Sequence, residues 1–370
     1  MSQTTNKTRA FGSPSRYVQG RNELDLLKEY TDAYGNRVLI LIDTFFYANY
    51  SKKFEEMYAN GTSTVKTYEY KGEITADKIA AIVNEAKVFN PNVVVGMGGG
   101  KTMDSAKAVA DDFKAATIIV PTTASTDAPA IGLSVMYNEQ GVHIGARHYV
   151  KNPDLVLLDT DIIAKAPIRF LVAGMGDGLA TFIEARANFQ SASPNYVGKG
   201  YSATVAVRAI AQACHETILN KGISAKLAAE AGLCTQDFED VVEANTLLSG
   251  LGVQNSSCAG AHSIAEGITI LPECAKLLHG EVVAFGILVQ LVIEGRCKDE
   301  IKEMYDFFNA VGLPSTFEML GISDATSADI MKVAQESLKS YWDTEPFAIT
   351  AQMVYDAIMM ANILGKEFQK

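Results

Sequence analysis

The stretch that most limits what this chain can become runs from Asn92 to Phe113, NVVVGMGGGKTMDSAKAVADDF. Val93, Val94 and Val95 form a continuous apolar run, the pattern of a parallel strand buried on both faces. A helical pattern follows, with Met103, Ala106, Ala110 and Phe113 on one stripe and Asp104, Lys107, Asp111 and Asp112 mostly off it. Between them lie Gly96, Gly98, Gly99 and Gly100. Glycines let the backbone approach a ligand closely, and the helix that follows aims free N–H groups and a positive dipole end into the turn. An anionic pyrophosphate fits that description, and so does a tight turn without a ligand. A P-loop does not fit, because Gly96 to Gly100-Lys101-Thr102 is one residue short and Val95 stands where the first glycine belongs. The acid of a Rossmann fingerprint is not found downstream either; the better-placed acid is Asp43, upstream.

The flanking chain alternates strands and helices. Arg37 to Asp43 (RVLILID) reads as a buried strand with a carboxylate at its C-terminal edge, where ligands of open α/β sheets bind. Asp43 there is either a ribose acceptor or a helix N-cap. Val65 to Tyr70 reads as a strand, Ile74 to Phe89 as a helix and Ala116 to Val120 as a further strand. The loop Pro121 to Pro129 (PTTASTDAP) carries Thr122, Thr123, Ser125, Thr126 and Asp127, polar groups suited to a ligand and equally to an ordinary turn. Leu133 to Val150 suggests a β-hairpin turning at residues 139–141, and Asp154 to Thr160 one more strand. The first 20 residues or so are polar and weakly anchored apart from Tyr17 and Val18. From Phe170 onward the periodicity is helical, over about 170–191, 195–220, 234–251, 275–294, 298–311 and 349–366. The expected fold is an N-terminal α/β domain with a doubly wound, Rossmann-like parallel sheet (1–165), followed by an all-α domain (166–370).

A net charge of −11 without a long basic run argues against nucleic-acid or anionic-membrane surfaces. Val282 to Ile293, the longest apolar run, is too short to span a bilayer, is interrupted by Gln290, and reads as a buried helix. No apolar leader stands at the N-terminus, and the five cysteines include no C-x-x-C pair. A reducing cytoplasm is the expected setting.

Of the five histidines, His143, His148 and His215 read as surface or packing residues. His262 and His279 sit in adjacent apolar helical segments, where two imidazoles are either core residues or metal ligands. Asp177, in GMGDGLATFIEA, would complete a ligand set with a coordination position left open, the catalytic pattern.

Taken together, GGGKTMDSAK, PTTASTDAP, NPDLVLLDT, GMGDGLAT and HGEVVAFG resemble the glycerol dehydrogenases within the iron-containing (group III) polyol dehydrogenases, over nearly the whole chain and in the same order. The resemblance implies a dehydroquinate synthase-like fold with NAD on the α/β domain, a divalent metal on the helical domain and the active site in the cleft between them. It implies NAD contacts from Asp43, Gly98, Gly99, Gly100, Lys101, Thr122, Thr123, Ser125, Leu133 and Tyr137, and a substrate contact from Asp127. Asp177, His262 and His279 would hold the metal and meet the substrate. Iron enzymes of the superfamily carry a further histidine where this chain has Thr181, which favours a three-ligand zinc site. Ala265 and Ile131 are further departures that bear on the pocket. The implied reaction is NAD-dependent oxidation of glycerol or a related vicinal diol to dihydroxyacetone and the reverse, in a cytoplasmic homo-oligomer, an octamer by resemblance. Competing readings are a dehydrogenase of another small polyol, hydroxyketone or polyol phosphate, a dehydroquinate synthase-like lyase, and a nucleotide-binding regulatory protein without chemistry.

Overall fold

Five consecutive side chains of Arg37–Asp43, from Val38 to Ile42, are at most 1% exposed, which a strand achieves only when both faces of its sheet are covered. The computed structural model describes residues 8–369. Its first unit comprises Gly12–Ala124 and Ala128–Ala166; the second comprises the chain from Pro167 onward, with Ser125–Asp127 and the described residues up to Phe11.

In the first unit, β1 (Tyr17–Gly20) leads to α1 (Leu27–Asp32), β2 (Arg37–Asp43), α2 (Thr44–Tyr58), β3 (Thr64–Tyr70) and α3 (Ala76–Ala86). Then come β4 (Val93–Gly98), α4 (Gly100–Phe113), β5 (Ala116–Pro121), the hairpin strands β6 (Leu133–Tyr137) and β7 (His143–His148), β8 (Leu155–Asp159) and α5 (Thr160–Ile163). Six strands pair in parallel in the order β1-β8-β5-β4-β2-β3, and β6 pairs antiparallel with β7. Alternate residues of each strand feed two layers. Val38, Ile40, Ile42, Val93 and Val95 pack with Leu27, Phe54 and Tyr58 on one face, and Leu39, Leu41 and Val94 pack with Ile79, Ile82, Met103 and Val109 on the other. From β2 the chain moves outward to β3; from β4, on the other side of β2, it moves the opposite way to β5. The reversal between β2 and β4 is the topological switch point at which open α/β sheets bind ligands.

Two expectations for this unit need correcting. Gln19 and Gly20, expected to be weakly anchored, continue Tyr17 and Val18 into a strand that pairs with β8 over four residues, because β8 offers an open edge that so short a strand can join. Asp104 and Lys107, expected off the buried face of α4, are 5% and 3% exposed because β6 covers that face. The Lys107 ammonium donates to Asp104 Oδ1 (2.9 Å) and to the carbonyls of Ala128 (2.6 Å) and Leu133 (3.0 Å). Asp104 Oδ2 accepts from the Val135 amide at 2.8 Å.

The second unit is helical: α6 (Ile168–Ser191), α7 (Val205–Glu230), α8 (Gln236–Glu243), a π-turn at Ala244–Leu248, α9 (Ser249–Ser256), α10 (Gly260–Ile268) and α11 (His279–Ile293). It continues with α12 (Lys298–Val311), α13 (Phe317–Leu320), α14 (Ser327–Ser337) and α15 (Ala351–Phe368). The helix expected over 195–220 starts instead at Val205 and runs to Glu230. Thr204 caps it, and positive φ at Gly198, Lys199 and Gly200 keeps the preceding chain out of a helix. The run Val282–Ile293 lies within α11, buried from Gly280 to Leu291, and among the described residues no helix is long and apolar enough to cross a membrane.

The buried Asp104–Lys107 pair yields a stability prediction. Lys107→Met leaves a buried carboxylate unpaired and should lower stability by roughly 3–5 kcal/mol in urea unfolding. Asp104→Asn with Lys107→Met should lose less, since neither charge is then stranded; an equal or larger loss would contradict the pairing.

Candidate functional site

At the switch point, Asp43 ends β2 and Gly98 ends β4; Thr44 begins α2, and Gly99 caps α4, which begins at Gly100. A Cβ on Gly98 would stand 2.8 Å from Thr102 Cβ and 2.9 Å from Asp43 Cβ, so glycine is what lets the three backbones meet. A Cβ on Gly99 or Gly100 would meet nothing within 4 Å. The N-terminus of α4 therefore faces open space, as an approaching pyrophosphate requires. Asp43 caps α2, its Oδ1 accepting from the Phe45 amide at 2.9 Å. The Thr122 amide donates to the Gly98 carbonyl at 3.2 Å, which places Thr122 beside the glycines. Thr123 is half-buried in that loop, and the Lys101 ammonium pairs with Glu73. Leu133 and Tyr137 lie on β6, which Lys107 and Asp104 tie to α4 through the Leu133 carbonyl and the Val135 amide; the Tyr137 amide donates to Ile74 O at 3.0 Å.

The helical unit brings Asp177, His262 and His279 together from α6, α10 and α11. Asp177 Oδ1 lies 3.6 Å from His262 Nε2 and 3.4 Å from His279 Nε2, and the two rings are 5.3 Å apart between centroids. Ligands about 2.0–2.1 Å from one tetrahedral ion stand about 3.3–3.4 Å from each other. Asp177 is 1% exposed, and its Oδ1 has no hydrogen-bond partner among the described residues. The other oxygen accepts from the Asp127 amide at 3.3 Å, so Ser125 and Asp127 share the unit of the trio. Burial pushes the Asp177 carboxyl up, but His279 and His262 outweigh it and hold the group below the ordinary carboxylate range. An orphaned buried oxygen facing two imidazole nitrogens at ligand spacing fits a divalent cation.

Local structure explains why the donors converge. His279 is the first residue of α11, whose start is held by Glu281: its Oε2 accepts from the Leu278 amide at 2.7 Å, and its carboxylate takes a bidentate pair from Arg169 at 2.5 and 2.6 Å. A Cβ on Gly280 would lie 1.8 Å from the Ala173 carbonyl, so only glycine lets α11 close against α6 beside Asp177. Thr181 sits one turn beyond Asp177, buried, its hydroxyl 2.9 Å from Ser249 Oγ; Ala265 and Ile131 are also buried.

Sequence reading missed Glu184. It is fully buried on α6, and its carboxylate contacts His262 Nδ1 at 2.7 Å. The signal was its spacing, two turns beyond Asp177 on the same helix face.

Residues 14–160 match the iron-containing alcohol dehydrogenase family. The chain belongs to that family. Within it, the chain is 39% identical to a glycerol dehydrogenase of Citrobacter freundii over 96% of its own length and 98% of the relative's. It is 38% identical to a glycolaldehyde reductase of Halobacterium salinarum, covering 97% and 98%. A solved probable glycerol dehydrogenase from Sinorhizobium meliloti, 41% identical, superposes with a TM-score of 0.91 over 97% of this chain and all of that one.

Near Glu184, a second buried carboxyl gives a pH prediction. Glu345 is 5% exposed, and burial, reinforced by Glu294 and Glu184, raises it from 4.5 to about 8. The folded state thus holds a proton that the unfolded state releases, and stability should fall as pH rises from about 5 to about 8. Glu345→Gln should flatten that dependence and be the more stable form near pH 8, by on the order of a few kcal/mol. Parallel pH–stability curves for the two proteins would contradict this.

Proposed function

We propose that the chain oxidises the secondary hydroxyl of a small vicinal diol, glycerol foremost, with NAD, and catalyses the reverse reduction. The observation that carries this reading is the buried Asp177 oxygen facing His262 and His279 at 3.4–3.6 Å, in a chain whose first unit has an open glycine turn at its switch point. Glycerol dehydrogenases as relatives support the substrate class, and the glycolaldehyde reductase supports small hydroxycarbonyls as the other face of the same chemistry.

Asp177, His262 and His279 hold the divalent metal, zinc in this reading, because Thr181 is engaged with Ser249 and three protein ligands leave positions open for substrate oxygens. When bound, such a metal supplies Lewis acidity that eases loss of the hydroxyl proton. In the oxidation the carbinol hydrogen leaves as hydride to C4 of the nicotinamide and the hydroxyl proton leaves to solvent, so one diol and one NAD give one hydroxyketone, NADH and a proton. Gly98, Gly99 and Gly100 admit the pyrophosphate at the α4 N-terminus, with Lys101 beside it; Asp43 accepts from the ribose. Thr122, Thr123, Ser125, Leu133 and Tyr137 are assigned to the remaining NAD contacts. The Asp127 backbone is tied to Asp177, and its carboxylate takes a substrate hydroxyl. A site built to pair a second hydroxyl rejects alcohols that lack it.

A homo-oligomer accounts for exposed apolar side chains such as Val205, Ile223 and Leu227 on α7, and the five free cysteines support a reducing, cytoplasmic setting.

NADH formation from glycerol should disappear on dialysis against a chelator and return with zinc, and ethanol should be oxidised at least about tenfold more slowly. Equal rates with ethanol, or activity with metal confirmed absent, would overturn the reading. Asp177→Ala should lose bound metal and turnover while binding NAD as before; stoichiometric metal in that variant would remove Asp177 from the ligand set.

A further inference from the structure

Asp177, Thr181, Glu184 and Asn188 fall at i, i+4, i+7 and i+11 of α6, a polar stripe with every member at most 2% exposed. Polar side chains survive such burial only when each is hydrogen-bonded to something the fold needs. Thr181 has Ser249, and Asp177 faces the two imidazoles. Glu184 and Asn188 hold the turn between α9 and α10, from which His262 is launched.

That turn is unusual. Ser257 has φ +101°, a region that side-chain-bearing residues rarely adopt, and the Asn188 amide donates to its carbonyl at 2.7 Å. The first N–H groups of α10 have no intrahelical partner. Glu184 Oε1 takes two from this region, the amides of Ala259 (2.8 Å) and His262 (2.9 Å), and Gln290 Oε1 takes that of Ala261 (2.8 Å). Glu184 Oε2 lies 2.7 Å from His262 Nδ1. With one oxygen already accepting two backbone N–H groups, this carboxylate calls for a donor at the other, so Nδ1 carries the hydrogen. In the neutral ring that ligation requires, the lone pair is then on Nε2, the atom that faces Asp177.

We propose that Glu184 is the positioning residue of the metal centre. Through one carboxylate it sets the ring tautomer of His262, the ring's orientation, and the backbone turn that delivers it. The proposal rests on Asp177, His262 and His279 being the ligand set. Glutamine at 184 cannot replace the carboxylate, because its NH2 group must face either two backbone donors or the Nδ1–H. Aspartate keeps the charge on a shorter stem.

The test is cobalt(II) affinity by competition with a chelator, measured for the full-length wild type, Glu184→Gln, Glu184→Asp and Asp177→Ala, alongside NAD affinity. Glu184→Gln should bind cobalt about 10–100-fold more weakly than wild type, Glu184→Asp should recover part of that loss, and NAD affinity should not move. Wild-type cobalt affinity in Glu184→Gln, or equal losses in the Gln and Asp variants, would overturn the positioning role. Wild-type affinity in Asp177→Ala would instead overturn the ligand set beneath it. Folding of the variants is bypassed by NMR of isotope-labelled histidine in the zinc-loaded wild type: His262 should carry its hydrogen on Nδ1, and hydrogen on Nε2 would overturn the proposal.

Discussion

Burying a carboxylate oxygen without a hydrogen bond is strongly unfavourable, and the helical unit does it at Asp177, whose Oδ1 has no hydrogen-bond partner among the described residues and faces two imidazole nitrogens at 3.4 and 3.6 Å. The surrounding fold is arranged so that this atom cannot escape. Glycine at 280 brings α11 against α6, Arg169 and Glu281 fix the first turn of α11, and Asp127 occupies the second oxygen of Asp177. Glu184 and Asn188 pin the turn that carries His262. A fold that concentrates unsatisfied donor capacity on one point, and rigidifies all three donors around it, has the character of a preorganised cation site.

In the α/β unit the same economy of position applies to backbone instead of side chains. The sheet brings the ends of β2 and β4 together at the point where the chain reverses direction, and a glycine at 98 keeps that junction tight. The face of α4 turned away from the sheet is not left to solvent: the buried Lys107 and Asp104 hold both the loop at Ala128 and the hairpin strand β6.

Much of this was legible in the sequence where one residue's environment follows from its neighbours in the chain. RVLILID and NVVVGMGGGK read as strands because uninterrupted apolar runs have few other places to go, and the hairpin over 133–150 followed from its turn. Asp177, His262 and His279 could be named, but only folding places α6, α10 and α11 so that their donor atoms meet. Other features depend on distant partners. Tyr17–Gly20 is a strand only because β8 accepts it, and Lys107 is buried only because β6 lies over it. Glu184 looked like one acid among many on a helix; its partners are amides 75 and 78 residues away, in a turn with no periodic signature. The start of α7 was misplaced because positive φ at Lys199 is invisible in its identity.

Among the described residues two overlapping donor sets in the helical unit could hold a cation, Asp177–His262–His279 and Glu184–Cys258–His262, and only the second offers sulfur. X-ray absorption at the metal edge of the zinc-loaded protein separates them directly. With Asp177, His262 and His279 as ligands, the nearest scatterers should be nitrogen and oxygen only, at about 2.0–2.2 Å, with the outer scattering of two imidazoles. A sulfur scatterer at about 2.3 Å with a single imidazole would place the metal at Cys258 and contradict that ligand set.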